Sequence, residues 1–219
     1  AMIEGLAASG GKTLRWTHCV ALGQTLQYHW EQGLGTDGSG QPTARSYIQR
    51  GGWTHIVLQE FSNLPRVDPE SFFAAVRLFK NEIDAWSPGA EILLYENWPY
   101  NDAADYAGDL AALRASYSAI AGEIGARIIP VGHAFEQVRR KDGFGKFDPY
   151  LITDNKHASV AGSYLSACVI IQTLYRRPRR LLSYRPSELS EGEARLAQIR
   201  ARQTVRKLNN YRLKPVGLR

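Results

Sequence analysis

The sequence predicts an α/β fold with a mostly parallel sheet, and three observations predict it. Short apolar runs rich in Ile, Val and Leu recur at His55–Gln59 ("HIVLQ"), Glu91–Glu96 ("EILLYE") and Ala126–Val131 ("ARIIPV"). Runs of this kind, apolar rather than alternating, are expected of strands covered on both faces. Amphipathic stretches of helical length stand between them, which implies βαβ units. The length of 219 residues suits one such domain with an appendage at most.

Thr13–Val20 reads as the first strand, ending toward Gly23, where a helix begins. "GLGTDGSGQPT" is glycine-rich, but it does not join a strand to a helix as a phosphate cradle must, so it reads as a flexible surface connection. Pro69 opens a helix whose Phe72, Phe73, Val76, Phe79 and Ile83 fall on one stripe, ending near Pro88-Gly89. "DLAALRASYSAIAGEIGA" repeats the pattern with Leu110, Leu113, Tyr117, Ile120 and Ile124. A long loop, "RRKDGFGKFDPYLITDNK", leads to a helix capped by Ser159 that turns Leu165, Cys168, Val169 and Leu174 inward. A last helix near Glu191–Asn210 is announced by the capping box Ser190-x-x-Glu193.

Composition narrows the function classes. The two cysteines, Cys19 and Cys168, lie in apolar stretches and read as buried thiols; no metal-ligand spacing or disulfide framework is visible. No apolar run approaches membrane-spanning length. The net charge of +6 is concentrated at one end: Arg176–Arg219 carries 13 Lys/Arg against 3 Asp/Glu, and the first 175 residues carry 14 against 18. A basic tail suits nucleic acid or an anionic surface. No recognition motif accompanies it, so a solvated Arg-rich helix is the favoured reading.

Three segments could carry chemistry. In "DNKHAS", Asp154 precedes His157 by three residues on a turn before a helix. A carboxylate so placed can hold the ring's Nδ1–H and leave Nε2 as a base; alternatively the Asp makes the turn and the His packs on the helix start. In "WTHIVLQEFSNLP" a buried strand runs into Gln59, Glu60, Ser62 and Asn63. Ligands of open α/β sheets bind outside the carboxyl ends of strands, although Gln59 and Asn63 can equally satisfy loop backbone. In "HCVALGQTLQYHW", Gly23 either lets a backbone N–H approach a ligand or simply makes a turn. Past another strand end, Asn97 and Trp98 in "YENWPY" could form a substrate wall or pack in the fold. His133 stands past the last strand and could line the cleft; His18, His29 and His55 read as structural.

In combination and order these segments resemble the SGNH (GDSL) hydrolase superfamily, in its bacterial form with Gln-Glu in the third block. "GWTHIVLQEFSNLP" looks like that block, and "DNKHASVAGSYLSACV" like the fifth, Asp-x-x-His and then Ser-x-x-Gly. The resemblance reaches from the start to about Arg180. It implies a flavodoxin-like three-layer α/β/α sandwich over 1–180, with 181–219 as a basic helical extension. It also implies a serine esterase acting on an oxygen ester, such as acyl or acetyl groups on carbohydrate. His157 is then the general base, Asp154 its orienting partner, Gly23 and Gln59 the oxyanion donors, and Asn97 and Trp98 substrate contacts, with neither metal nor cofactor. The family's first block, a strand ending Gly-x-Ser, has no counterpart: "AMIEGLAASGG" looks like the helix next in order, and Ser9 stands near that helix's far end. The nucleophile and first strand are therefore expected upstream of Met2, with the chain as given inactive as a serine esterase. A strand supplied from upstream, from a neighbouring copy or from the C-terminus is expected to fill the gap between Thr13–Val20 and His55–Gln59. An inactive ligand-binding homologue, or a nucleic-acid or anionic-surface binder using the tail, is the alternative. The sequence assigns neither compartment nor oligomeric state.

Overall fold

A computed structural model describes residues 2–141, 148–150, 154–175 and 181–212. In chain order the elements are α1 (Met2–Ser9), α2 (Leu26–Glu31), α3 (Ala44–Gln49), β1 (His55–Leu58), α4 (Leu64–Val67), α5 (Pro69–Trp86), β2 (Glu91–Tyr95), α6 (Tyr106–Ile124), β3 (Arg127–Ile129), α7 (Val131–Lys141), α8 (Val160–Leu174) and α9 (Glu191–Arg212). The fold is mixed α/β around a small three-stranded sheet ordered β1-β2-β3. β1 and β2 run parallel in the register His55↔Glu91 to Leu58↔Leu94. The chain divides into two compact units: Ala1–Arg15, Pro99–Tyr106 and Ile129–Arg219 form the first, Trp16–Trp98 and Ala107–Ile128 the second.

In the second unit the strand register puts Ile56 beside Ile92 and Leu58 beside Leu94, so that these four share one face of the pleat. That face joins Leu26, Ile48, the α5 stripe Phe72, Val76, Phe79 and Ile83, and Leu113, Tyr117 and Ile120 of α6 in one core. Phe73, expected in the stripe, is only partly buried at its margin. Complete burial of a Phe, Val or Ile side chain contributes about 1.5–3 kcal/mol, so the α5 stripe is a principal source of the unit's stability. α5 begins where the sequence indicates: Asp68 accepts the Ser71 N–H and Pro69 opens the first turn. At the amino ends of the strands Glu91 receives the Arg127 guanidinium through two bonds, and His55 Nε2 lies 3.4 Å from its carboxylate. The carboxyl ends stay clear of that ion-pair cluster.

The first expected strand does not form. Thr13–Val20 takes no regular secondary structure and has no ladder partner among the described residues, and Trp16 is 43% and Val20 76% exposed. A strand is stabilised by the neighbour it pairs with, and none of the three strands pairs with this segment. β1 is accordingly an edge of the sheet. Cys19, on the same segment, is only partly buried, whereas Cys168 is buried as expected. The glycine-rich connection is an ordered turn. Asp37 Oδ1 accepts from the Ser39 and Gln41 amides, and Thr36 bridges Pro42.

In the first unit α8 packs on α1, α7 and α9. Ser159 caps α8 by accepting the Gly162 N–H at 3.1 Å. The capping box of α9 forms, with Ser190 N–H donating to Glu193 Oε2 at 2.8 Å and Glu193 N–H to Ser190 Oγ at 3.3 Å. The expected solvated extension is corrected here: Ala194, Ala197, Ala201 and Val205 are buried, and Gln198 bonds Tyr164 Oη and the Leu182 carbonyl. α9 is thus part of the unit's core. Ala197→Arg, which drives a cation into that packing, is expected to lower stability by more than about 3 kcal/mol, read by denaturant unfolding; an unchanged midpoint would mean that α9 is a free appendage.

Candidate acid–base pair and oxyanion donors

The first unit holds Asp154 and His157. Asp154 Oδ1 accepts the Lys156 N–H at 2.8 Å and the His157 N–H at 3.0 Å, while Oδ2 lies 2.7 Å from His157 Nδ1. The turn is possible because Asn155 takes a left-handed conformation, φ 56°, which Asn tolerates better than most residues. Asn101 braces it: its backbone N–H donates to the Asn155 carbonyl and its side-chain amide to Asn155 Oδ1. These bonds hold the Asp154 carboxyl at about 2, well below the ordinary 3.8, with the His157 side-chain bond as the largest cause and the two backbone N–H bonds after it. At neutral pH Asp154 is therefore an acceptor only, and Nδ1 must carry the shared hydrogen. Neutral His157 then presents a bare Nε2, and its side chain is 78% exposed.

Beyond the pair, a glycine secures the start of α8. A Cβ on Gly162 would stand 2.0 Å from the Pro149 carbonyl oxygen. Ser159 N–H also donates to that carbonyl, and Ser159 Oγ donates to the Asp148 carbonyl. Ser-x-x-Gly is thus the device that seats α8 directly on the 148–150 segment. Most of the long loop before Asp154, at 142–147 and 151–153, lies outside the described residues.

The second unit holds the other candidates. Gly23 has φ +71°, and nothing lies within 4 Å of where its Cβ would be. Gln59, just past β1, is exposed, and its Nε2 reaches Asn97 Oδ1 only at 3.5 Å, the limit of a hydrogen bond, so the amide has little to restrain it. Asn97 is held within the fold. It is 4% exposed, and its Nδ2 donates to the Glu60 carbonyl at 2.8 Å and the Ser62 carbonyl at 2.6 Å. Both side-chain amide hydrogens go to the 60–62 loop, which is the packing alternative for Asn97. Trp98 is partly buried, with its ring 6.5 Å from that of Tyr95 in a T-shaped arrangement. Of the histidines, His133 stands in the first turn of α7 and His18 stacks on exposed Trp16. His29 Nδ1 lies 3.7 Å from Cys19 Sγ.

Glu60, which the sequence places at the strand end without a role, is 2% exposed. Its Oε1 accepts the Leu26 N–H at 3.1 Å and the Phe61 N–H at 2.6 Å. Burial pushes its carboxyl up against the pull of those two bonds. Nearby Tyr117 is raised well above the usual tyrosine value, by burial first. The signal available in the sequence was a glutamate directly after a buried apolar run. Among the described residues no group of His, Cys, Asp and Glu is arranged to hold a metal, and no helix is long and apolar enough to cross a membrane.

A depressed carboxyl contributes stability that is complete above its ordinary value and is lost as pH falls through its folded value. For Asp154 that window runs from about 4 down to about 2. A carbon-13 titration of the side-chain carboxyl should show a midpoint near 2, moving up toward 3.8 in His157→Ala. A midpoint already at the ordinary value in the unaltered protein would mean that the pair does not form.

No family model matches the chain, and no curated protein matches it. One solved structure does: the crystal structure of a DUF4886 family protein from Bacteroides uniformis ATCC 8492, with a TM-score of 0.74 and 17% identity. The match covers 94% of this chain and 89% of that one, and at this identity it shows a shared fold.

Proposed function

We propose that this protein is a serine esterase of SGNH type, hydrolysing an oxygen ester such as an acyl or acetyl group on a carbohydrate. The observation that carries the proposal is the Asp154–His157 pair, with its tautomer set by an ionised carboxylate and Nε2 presented to solvent. In this mechanism Nε2 takes the proton of a serine hydroxyl as it attacks the ester carbonyl, and Asp154 stabilises the imidazolium that forms. The same proton passes to the leaving alcohol when the carbonyl re-forms. Water then attacks the acyl-serine with His157 again as base, releasing the acid. The Gly23 N–H and the Gln59 amide receive the oxyanion, and Trp98 contributes an apolar wall. The α/β fold supports a flavodoxin-like three-layer arrangement as the finer architecture. The resemblance assigns the nucleophile to a Gly-x-Ser block, and neither Ser9 nor Ser159 takes that part, since they spend their hydroxyls on the Leu6 and Asp148 carbonyls.

A second reading, a ligand-binding protein without turnover, draws on one observation: among the described residues no serine hydroxyl is bonded to His157. Full-length protein assayed with a short-chain aryl acetate separates the two. An esterase should lose about six orders of magnitude in kcat on His157→Ala, and about four on Asp154→Asn, which favours the wrong tautomer. Tm should scarcely change, because His157 is exposed. Turnover that survives in the His157 variant would refute the mechanism, and no turnover in any form would favour the binding protein.

A further inference from the structure

Glu60 has more attached to it than its place in the core requires. Its Oε1 reaches back 34 residues to the Leu26 N–H, the first amide of α2 and three residues beyond Gly23. The same oxygen accepts the Phe61 N–H, closing the turn directly after Gln59. Its own carbonyl accepts from Asn97 Nδ2, as does that of Ser62, which is held at a left-handed φ of 31°. One residue therefore joins three separate stretches: the Gly23–Leu26 turn, the carboxyl end of β1 and the segment just past β2.

Two features show that this is more than helix capping. Thr25 already caps α2 by accepting the Tyr28 N–H at 3.1 Å, so the helix has its own cap. Glu60 Oε2 is buried without a hydrogen-bond partner among the described residues. An unsatisfied buried oxygen is unfavourable, and an apolar side chain would fill the space without it. What an apolar side chain could not supply is the acceptor that the two N–H groups share.

We propose that Glu60 is the positioning residue of the oxyanion donors, holding the Gly23 turn and Gln59 in one fixed frame. The catalytic part of this rests on the esterase reading above. Gly23 has no side chain and its turn closes through one bond, Gln24 N–H to the Ala21 carbonyl at 3.3 Å; Gln59 has only a 3.5 Å bond of its own, so both gain from an outside anchor. Glu60 acts on both through the backbone, and it touches no reacting atom.

The test pairs kinetics on the full-length protein with an observation that needs no turnover. Amide shifts and hydrogen exchange of Gly23, Leu26 and Phe61, together with the Gln59 side-chain amide, are measured by NMR in Glu60→Ala and Glu60→Gln. Glu60→Leu replaces the alanine variant if that fails to fold. Removing the acceptor should expose the Leu26 amide to exchange and shift Gly23 and Gln59. Glu60→Gln, whose amide oxygen still accepts, should restore all three. With 4-nitrophenyl acetate, kcat should fall about 100-fold in Glu60→Ala with KM changed less than about threefold, on the scale of losing one oxyanion donor, and return to within about fivefold in Glu60→Gln. Changes confined to Phe61 would overturn the proposal whatever the activity. So would an unchanged kcat in Glu60→Ala beside an active parent. An inactive parent would sink the esterase reading alone, and the amide data would still decide whether Glu60 joins the two segments.

Discussion

The Asp154 carboxylate accepts three N–H groups at once, two from the backbone of its own turn and one from His157. Everything asked of the candidate site depends on that arrangement. The backbone bonds orient the carboxylate before the ring arrives, and the low carboxyl value keeps it charged wherever the histidine works. A charged acceptor settles which ring nitrogen holds the proton. The turn survives because Asn155 accepts a left-handed backbone and Asn101 clamps it from outside. Downstream, the glycine of Ser-x-x-Gly allows α8 to begin against the 148–150 segment. Local geometry, with few long-range contacts, orients an exposed histidine and sets its tautomer.

The second unit treats its carboxylate in the opposite way. Glu60 is buried and pushed up, whereas Asp154 is solvated and pulled down. Environment alone separates them, as it does wherever two carboxyl groups take different tasks in one protein. Asp154 is suited to stabilising a positive charge. Glu60 is a buried, shared acceptor for the Leu26 and Phe61 amides. Asn97 completes that scaffold by giving both amide hydrogens to the loop carbonyls on which Gln59 depends.

Elements with strong local determinants were legible in the sequence. Asp68 and Pro69 mark the start of α5, Ser159 that of α8, and Ser190 with Glu193 that of α9; each makes the bond its spacing implies. The runs at 55, 91 and 126 are strands because each is short, apolar and bounded by turns. Thr13–Val20 has the composition of a strand but no pairing partner among the described residues, and pairing is non-local. The buried face of α9 was hidden for another reason: it is built of Ala194, Ala197 and Ala201, small residues masked by the arginines between them. In the site, the Asp-x-x-His spacing showed the pair because three residues suffice to close the turn. Asn97 and Glu60 could not be read that way, since their partners lie 34 to 37 residues off and only the folded chain brings them near.

The central claim is that His157 activates a serine. Treating the full-length protein with a fluorophosphonate and locating the adduct by mass spectrometry tests it most directly. An activated serine gives a single phosphonylated serine, and the adduct disappears in His157→Ala. Labelling that is absent, scattered over surface hydroxyls, or equally fast without His157 would contradict the account.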